Sequence, residues 1–248
     1  MERTLFVFEG EHREKLYFES LEKAFFDGQQ SRILVSFQND IYELYKQLTR
    51  EDDLDPFELI KELNHLDQNT ELLANLRRDQ IGQIYLFFDM EPHDKEFDPQ
   101  KLLNMLTLFN NETEQGKLFI SYPMIEAIRD INDHTEYLTR TARLDDCAGK
   151  HYKPLSAERG NPIYQDARKI NRPLWQGLIS ANLQKANFLI SGSCGQTPVI
   201  DQQLIAQAQL DQFLPKGEIS ILAAFPIFLA DYFGKKVLLG DVTPLNSR

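Results

Sequence analysis

Apolar positions along the chain alternate between two rhythms. Four short runs, Thr4–Phe8 (TLFVF), Arg32–Phe37 (RILVSF), Gln83–Phe88 (QIYLFF) and Lys117–Ser121, have the length and the β-branched or aromatic content of buried strands. The segments between them carry helical spacing. Leu16, Tyr17, Leu21, Ala24 and Phe25 share a face of Glu14–Phe26, which Gly28 ends. Asn39 or Asp40 caps a helix with Ile41, Leu44, Tyr45 and Leu48 on one side. Asp55 and Pro56, with Glu58 completing a capping box, start a helix to about His65. A second piece from Thr70 ends in the basic pair Arg77 and Arg78, suited to the negative end of a helix dipole. Asp98 and Pro99 open a helix with Leu102, Leu103, Leu106 and Phe109 buried, and Pro123 opens one with Met124, Ile128 and Ile131 on one face and Glu126 away from it.

Strands that alternate with helices predict an α/β fold: a mostly parallel sheet with helices on both faces, because parallel crossovers need a covering element. Residues 1–135 fit one such unit. Beyond it the rhythm changes. Asp145–Pro162 is polar and irregular, while Tyr164–Phe188 and Gln202–Phe233 read as helical, with Gly192, Gly195 and Pro198 marking a loop between them. Residues 136–248 are therefore expected as a mainly helical region packed on the first unit.

Hydrophobic residues make up 42% and charged residues 26%, which argues against disorder. The most apolar segment, Ile219–Phe233, contains Pro226 and Asp231 and is too short to span a bilayer, so it reads as a buried helix with no membrane role. Leu5–Phe8 is too short for a signal peptide. Cys147 and Cys194, the two cysteines, lack metal-ligand or disulfide spacing, and a reducing cytoplasm is the expected compartment. The net charge of −11 discourages a nucleic-acid partner at first sight, but its distribution is uneven. Between Leu138 and Arg172 eight cations (Arg140, Arg143, Lys150, Lys153, Arg159, Arg168, Lys169, Arg172) face four acids, leaving the remainder at about −15.

Much of that negative charge falls where strands end. Glu9 follows the first strand, Asp89 and Glu91 the third, and Glu126 the fourth, while Glu14 lies in the first helix. Parallel α/β sheets gather ligands at the carboxyl ends of their strands, so these acids converge on one crevice. Close carboxylates repel unless a cation neutralises them, and Mg²⁺ or Mn²⁺ takes such oxygens together with phosphate oxygens. The expected chemistry is phosphoryl transfer or phosphodiester hydrolysis, with Lys153 as the cation that neutralises developing charge and Lys150 and Arg159 behind it.

EGEHREKLYF (9–18) resembles the opening motif of RloB-like Toprim proteins. DME (89–91) resembles the Toprim DxD with glutamate in second place, and YPMIEAI (122–128) resembles the later segment that carries a glutamate. The likeness covers roughly the first 130 residues. It implies a Toprim, Rossmann-like fold, a divalent-metal nuclease of the OLD-related kind, and a role in phage defence beside an ABC/OLD-type ATPase partner. Carried over, Glu9 is the catalytic glutamate and a metal ligand, Asp89 and Glu91 are the principal metal pair, and Glu14 and Glu126 are supporting ligands. The extra methylene of Glu91 bears on two-metal geometry and metal preference. DNA or a structured RNA such as tRNA is the implied substrate, and the locally basic segment offers Lys150, Lys153, Arg159, Arg168, Lys169 and Arg172 as its contacts.

Plainer readings stand beside these. Glu14 alone is as easily a helix-start acid, Glu126 an exposed helical residue, and Asp94 a loop acid. The five histidines, His12, His65, His93, His134 and His151, lack ligand spacing and read as surface residues. SGSCG (191–195) lacks the ending of a nucleotide P-loop. The C-terminal apolar stripes serve as core or as an oligomer interface, a homodimer included. Two further function classes compete: a non-catalytic Toprim-like module that binds an ATPase, and a small-molecule phosphohydrolase or phosphotransferase built on the same acids.

Overall fold

The structure, a computed structural model, describes residues 3–26, 32–50, 55–63, 67–148, 151–194 and 200–234. Gly28, His65, Lys150, Gly195 and Pro198 lie outside the described residues.

The elements run β1 (Arg3–Phe8), α1 (Arg13–Phe25), β2 (Arg32–Ser36), α2 (Ile41–Leu48), α3 (Pro56–Leu63), α4 (Asp67–Ala74), β3 (Ile81–Asp89), α5 (Pro99–Leu108), β4 (Asn110–Asn111) and β5 (Gly116–Ser121). After a 3₁₀ turn at Ile125–Arg129 come α6 (His134–Tyr137), β6 (Thr141–Arg143), α7 (Leu144–Cys147), α8 (Tyr152–Arg159), α9 (Arg172–Ser191), α10 (Gln202–Ala208), β7 (Glu218–Ser220) and α11 (Ala224–Phe233). Five strands form one sheet in the order β2-β1-β3-β5-β4, parallel except for the short β4 at its edge. The α/β expectation is met: each parallel neighbour is reached through helical crossovers, as parallel pairing requires.

Side chains alternate across the sheet, and Phe6, Phe8, Tyr85, Phe87 and Phe119 share one face. The cover of that face comes from both ends of the chain. Phe18 of α1 lies 4.5 Å from Phe6, ring centre to ring centre, and Phe225 of α11 lies 4.8 Å from Phe87. Phe228 stands between 5.1 and 5.8 Å from the rings of Phe6, Tyr85, Phe87, Phe119 and Tyr232. The apolar run at 219–233 is not one helix as expected: Ile219 and Ser220 belong to β7, and α11 covers the sheet with every residue buried except Asp231 and Tyr232 near its end, Asp231 pairing with Lys117. Among the described residues no helix is long and apolar enough to cross a membrane.

Several caps follow the sequence directly. Asp40 accepts from the Glu43 amide at 2.8 Å, Asp98 from the Lys101 amide at 2.8 Å, and Asp55 from the Phe57 and Glu58 amides. Other expectations need correction. α4 ends at Ala74, and Arg78 does not sit on its terminus: its Nε reaches Asp55 Oδ2 at 2.8 Å, tying the start of β3 back to α3. The polar stretch 145–162 is not irregular, since it holds α7 and α8. The segment after Pro123 is one 3₁₀ turn rather than an amphipathic helix. Ile125, Ala127 and Ile128 are all buried, because α8 and α11 pack on that turn and leave it no solvent face.

Candidate functional site

The carboxyl ends of β1, β2 and β3 lie side by side, so the residues following Phe8, Ser36 and Phe88 share one edge. Glu9 prolongs the sheet by one residue: its amide donates to Phe87 O at 3.0 Å and its carbonyl accepts from the Gln38 amide at 2.9 Å. Its carboxylate Oε2 accepts from the Asp89 amide at 2.9 Å, which joins the ends of β1 and β3 through one acid. Glu14 is buried in the first turn of α1 and folds back so that Oε1 accepts from the Gly10 amide at 3.1 Å. Gly10 leaves room for this contact, because a Cβ at that position would lie 2.6 Å from Glu14 Oε2 and displace the carboxylate.

On the far side, Met90 pins the loop after β3. Its amide donates to Ser121 O and Pro123 O, and its carbonyl accepts from the buried Tyr42 hydroxyl at 2.7 Å. Glu91 is then forced to a φ of +43°, and Gln38, at the end of β2, to +56°. Two non-glycine residues in left-handed backbone flank the same crevice, each at a cost on the order of 1–2 kcal/mol that the surrounding bonds hold in place.

Electrostatics follow from this crowding. Burial pushes the Glu9 carboxyl well above the usual range, and Glu91, Glu14 and Asp40 push it further while the Asp89 amide pulls it back. Asp89 is raised strongly, by desolvation first and then by Glu9, Glu14, Glu126 and Glu91. Glu14 is raised by burial, and Glu91 by burial and then by Asp40 and Asp94. Four carboxyls are thereby biased toward their neutral forms, or toward any cation that makes the ionised forms affordable.

Glu126 departs from the exposed reading: its side chain is 1% exposed. Oε1 accepts from Arg13 Nη1 at 2.8 Å and lies 3.7 Å from Lys153 Nζ, and Oε2 has no hydrogen-bond partner. The acid turns inward because its 3₁₀ turn is covered on the side that an isolated helix would expose. Lys153, half exposed, stands beside this acid.

The other basic residues divide. Arg159 is not a surface contact: Nε donates to Asp130 Oδ1 at 3.0 Å and Nη2 to Oδ2, and Asp130 is fully buried. Arg140 Nη1 and the Tyr152 hydroxyl complete the pairing of Asp130, at 3.1 and 2.8 Å. A fully buried carboxylate needs that many partners, so Arg159 is spoken for structurally. Arg168 and Lys169 are exposed beside Asp166, and Arg172 lies over the Phe25 ring at 5.4 Å.

The sequence reading missed Asp40 as a neighbour of the acids, Arg13 as the counter-charge of Glu126, and the buried Lys185, whose Nζ donates to Tyr137 O and Arg140 O. Asp40 sits at a strand-to-helix junction like Glu9, a signal that could have marked it. The remaining histidines, His12, His93, His134 and His151, are exposed, and His93 Nε2 lies 2.5 Å from Leu144 O. Gly192, at φ +70°, caps the carboxyl end of α9, so the start of SGSCG presents helix carbonyls and not an anion cradle. Cys147 is buried, and desolvation raises its thiol to about 12, which leaves it unreactive at neutral pH.

Hard carboxylate oxygens and the unpartnered Oε2 of Glu126 fit a divalent cation in their chemistry. In the arrangement described, no three His, Cys, Asp or Glu side chains among the described residues stand close enough to hold a metal ion. Fold and site together define an α/β protein with an acidic crevice at the carboxyl edge of a mostly parallel sheet. No family model, no curated protein and no solved structure matches the chain.

Proposed function

We propose that the chain is a divalent-metal-dependent phosphodiesterase acting on nucleic acid, of the RloB-like Toprim kind, that serves as a defence effector beside an ATPase. The observation that carries this reading is the gathering of Glu9, Asp89 and Glu91 at adjoining strand ends with the buried Glu14 beside them, where burial raises all four carboxyls and Glu14 and Glu91 raise Glu9 and Asp89 further. Such an arrangement is costly to the fold and useful to cation chemistry. Bound Mg²⁺ or Mn²⁺ would polarise the phosphodiester and supply an activated water.

The chain's own parts then have separate tasks. Glu9, Asp89 and Glu91 would hold the cations, with Glu14 and Glu126 as further oxygens, once these side chains close to ligand distance. Lys153, at the mouth beside Glu126, offsets charge that develops on the phosphate. Met90, whose amide ties the end of β3 to Ser121 and Pro123, and Gly10, whose amide holds the Glu14 carboxylate, fix the backbone around these acids. The test is incubation of the purified protein with plasmid DNA, total tRNA and single-stranded oligonucleotides in Mg²⁺ and in Mn²⁺. Metal-dependent cleavage that is lost in Glu9→Ala and in Asp89→Ala supports the reading, and cleavage retained in both variants removes it.

A further inference from the structure

Beside the acidic crevice, α1 forms the floor of two adjoining hollows. One, of about 390 Å³, has Arg13, Arg129 and Arg168 on its wall. The other, of about 450 Å³, has Lys23, Arg168, Lys169 and Arg172. They meet at Leu16 and Arg168. Between them they present six cations against two acids, Glu19 and Asp166, in a chain whose net charge is −11. Arg13 and Lys23 stand ten residues apart on one helix, so the path is about 15 Å long at the helical rise.

The path is rigid and points at the site. The Ser20 hydroxyl donates to Ile170 O at 2.7 Å and accepts from Trp175 Nε1 at 3.0 Å, which locks α1 to the start of α9. Arg129 is held by Ser156 Oγ at 3.1 Å and by Lys153 O at 2.6 Å. Its near end is Arg13, already bonded to Glu126. At its far end Asn171 caps the 20-residue α9, whose positive terminus adds to the potential of Lys169 and Arg172.

We propose that this groove binds one sugar–phosphate backbone of a double-helical nucleic acid and leads it toward the acidic crevice. The inference rests on the phosphodiesterase reading for its direction and on the groove's own charge for its ligand. Phosphate is the ligand such cations fit. Duplex is favoured over unpaired strand because the two hollows hold one aromatic ring, Tyr17, which is buried with its hydroxyl on Tyr164 O and offers no stacking face.

The experiment measures binding of fluorescent duplex and single-stranded oligonucleotides to the full chain in EDTA, across a salt series, so that hydrolysis does not enter. Lys23→Ala/Lys169→Ala lowers duplex affinity about tenfold at low salt and reduces the slope of log K against log salt by about two. Arg77→Ala, at the amino end of β3, changes neither. An unchanged slope in the double variant overturns the proposal, as does tighter binding of the single strand. Displacement of the duplex by inorganic phosphate at matched ionic strength also overturns it, because the groove is then a small-anion site. Groove-dependent binding without any cleavage in Mg²⁺ or Mn²⁺ leaves this proposal standing and removes the hydrolytic one.

Discussion

Replacing Asp89 with asparagine keeps the shape of the strand end and removes one charge from the crowded crevice. The Glu9 carboxylate rests on the Asp89 amide, so the two acids lie within a few ångströms of each other. Unit charges at about 4 Å repel by roughly 1 kcal/mol in water and roughly 4 kcal/mol at the effective dielectric of a protein surface. Without metal, Asp89→Asn should therefore gain about 1–2 kcal/mol at neutral pH, or about 2–8 °C in Tm for a chain of this size. The pH dependence has a defined sign. All four carboxyls are raised in the folded state, so in the window above the ordinary carboxyl range the native protein holds protons that the unfolded chain has released. Their stabilisation is present at acid pH and is lost as pH rises through the folded values. The metal-free protein should melt higher at about pH 5.5 than at about pH 8, and Asp89→Asn should flatten that difference. On the proposed metal reading, added Mg²⁺ should reverse the order, since a ligand at a hundred times its Kd stabilises the native state by about 2.7 kcal/mol. The variant should gain much less. Differential scanning fluorimetry over pH, with EDTA and with Mg²⁺, measures all of this. A lower metal-free Tm for Asp89→Asn at neutral pH, or equal stabilisation of both proteins by Mg²⁺, would refute the reasoning.

Three more outcomes follow from particular contacts. Gly10→Ala drives a Cβ into the Glu14 carboxylate, a flexible group that can swing away, so stability should change by less than about 1 kcal/mol while Mg²⁺-dependent cleavage falls, as read in a plasmid assay. Arg159→Ala leaves the buried Asp130 to Arg140 and Tyr152 and should cost about 2–3 kcal/mol in urea denaturation without altering the salt slope of duplex binding. Phe228→Ala opens a hole among five rings and should cost about 3–5 kcal/mol by the same method.

What could be read in advance depended on range along the chain. The strands, the caps at Asp40 and Asp98, and the acids at strand ends are local patterns, and they stand where the sequence puts them. The burial of Glu126 and the pairing of Arg159 were illegible for one reason: each partner lies far off in sequence, Arg13 for the first and Asp130 for the second. Periodicity assigns a face but not what covers it. The pairing of β6 with β7 was illegible on the same ground, since three-residue strands 75 or so residues apart carry no local signal. Asp40 shows the opposite limit, a cap whose local role hid its place beside Glu9 and Glu91.

The cover of the aromatic sheet face by α11 has a consequence for synthesis. Strands β1, β3 and β5 are complete at Ser121, yet Phe225 and Phe228 arrive more than a hundred residues later. At ribosomal speed that interval is about 5–20 s, during which Phe6, Phe87 and Phe119 lack the rings that finally enclose them. A nascent chain halted inside that interval presents a sticky sheet and strand ends that nothing has yet locked. The delay leaves this sheet face without its α11 cover for the whole interval, and the face closes only when Ala224–Phe233 has been made.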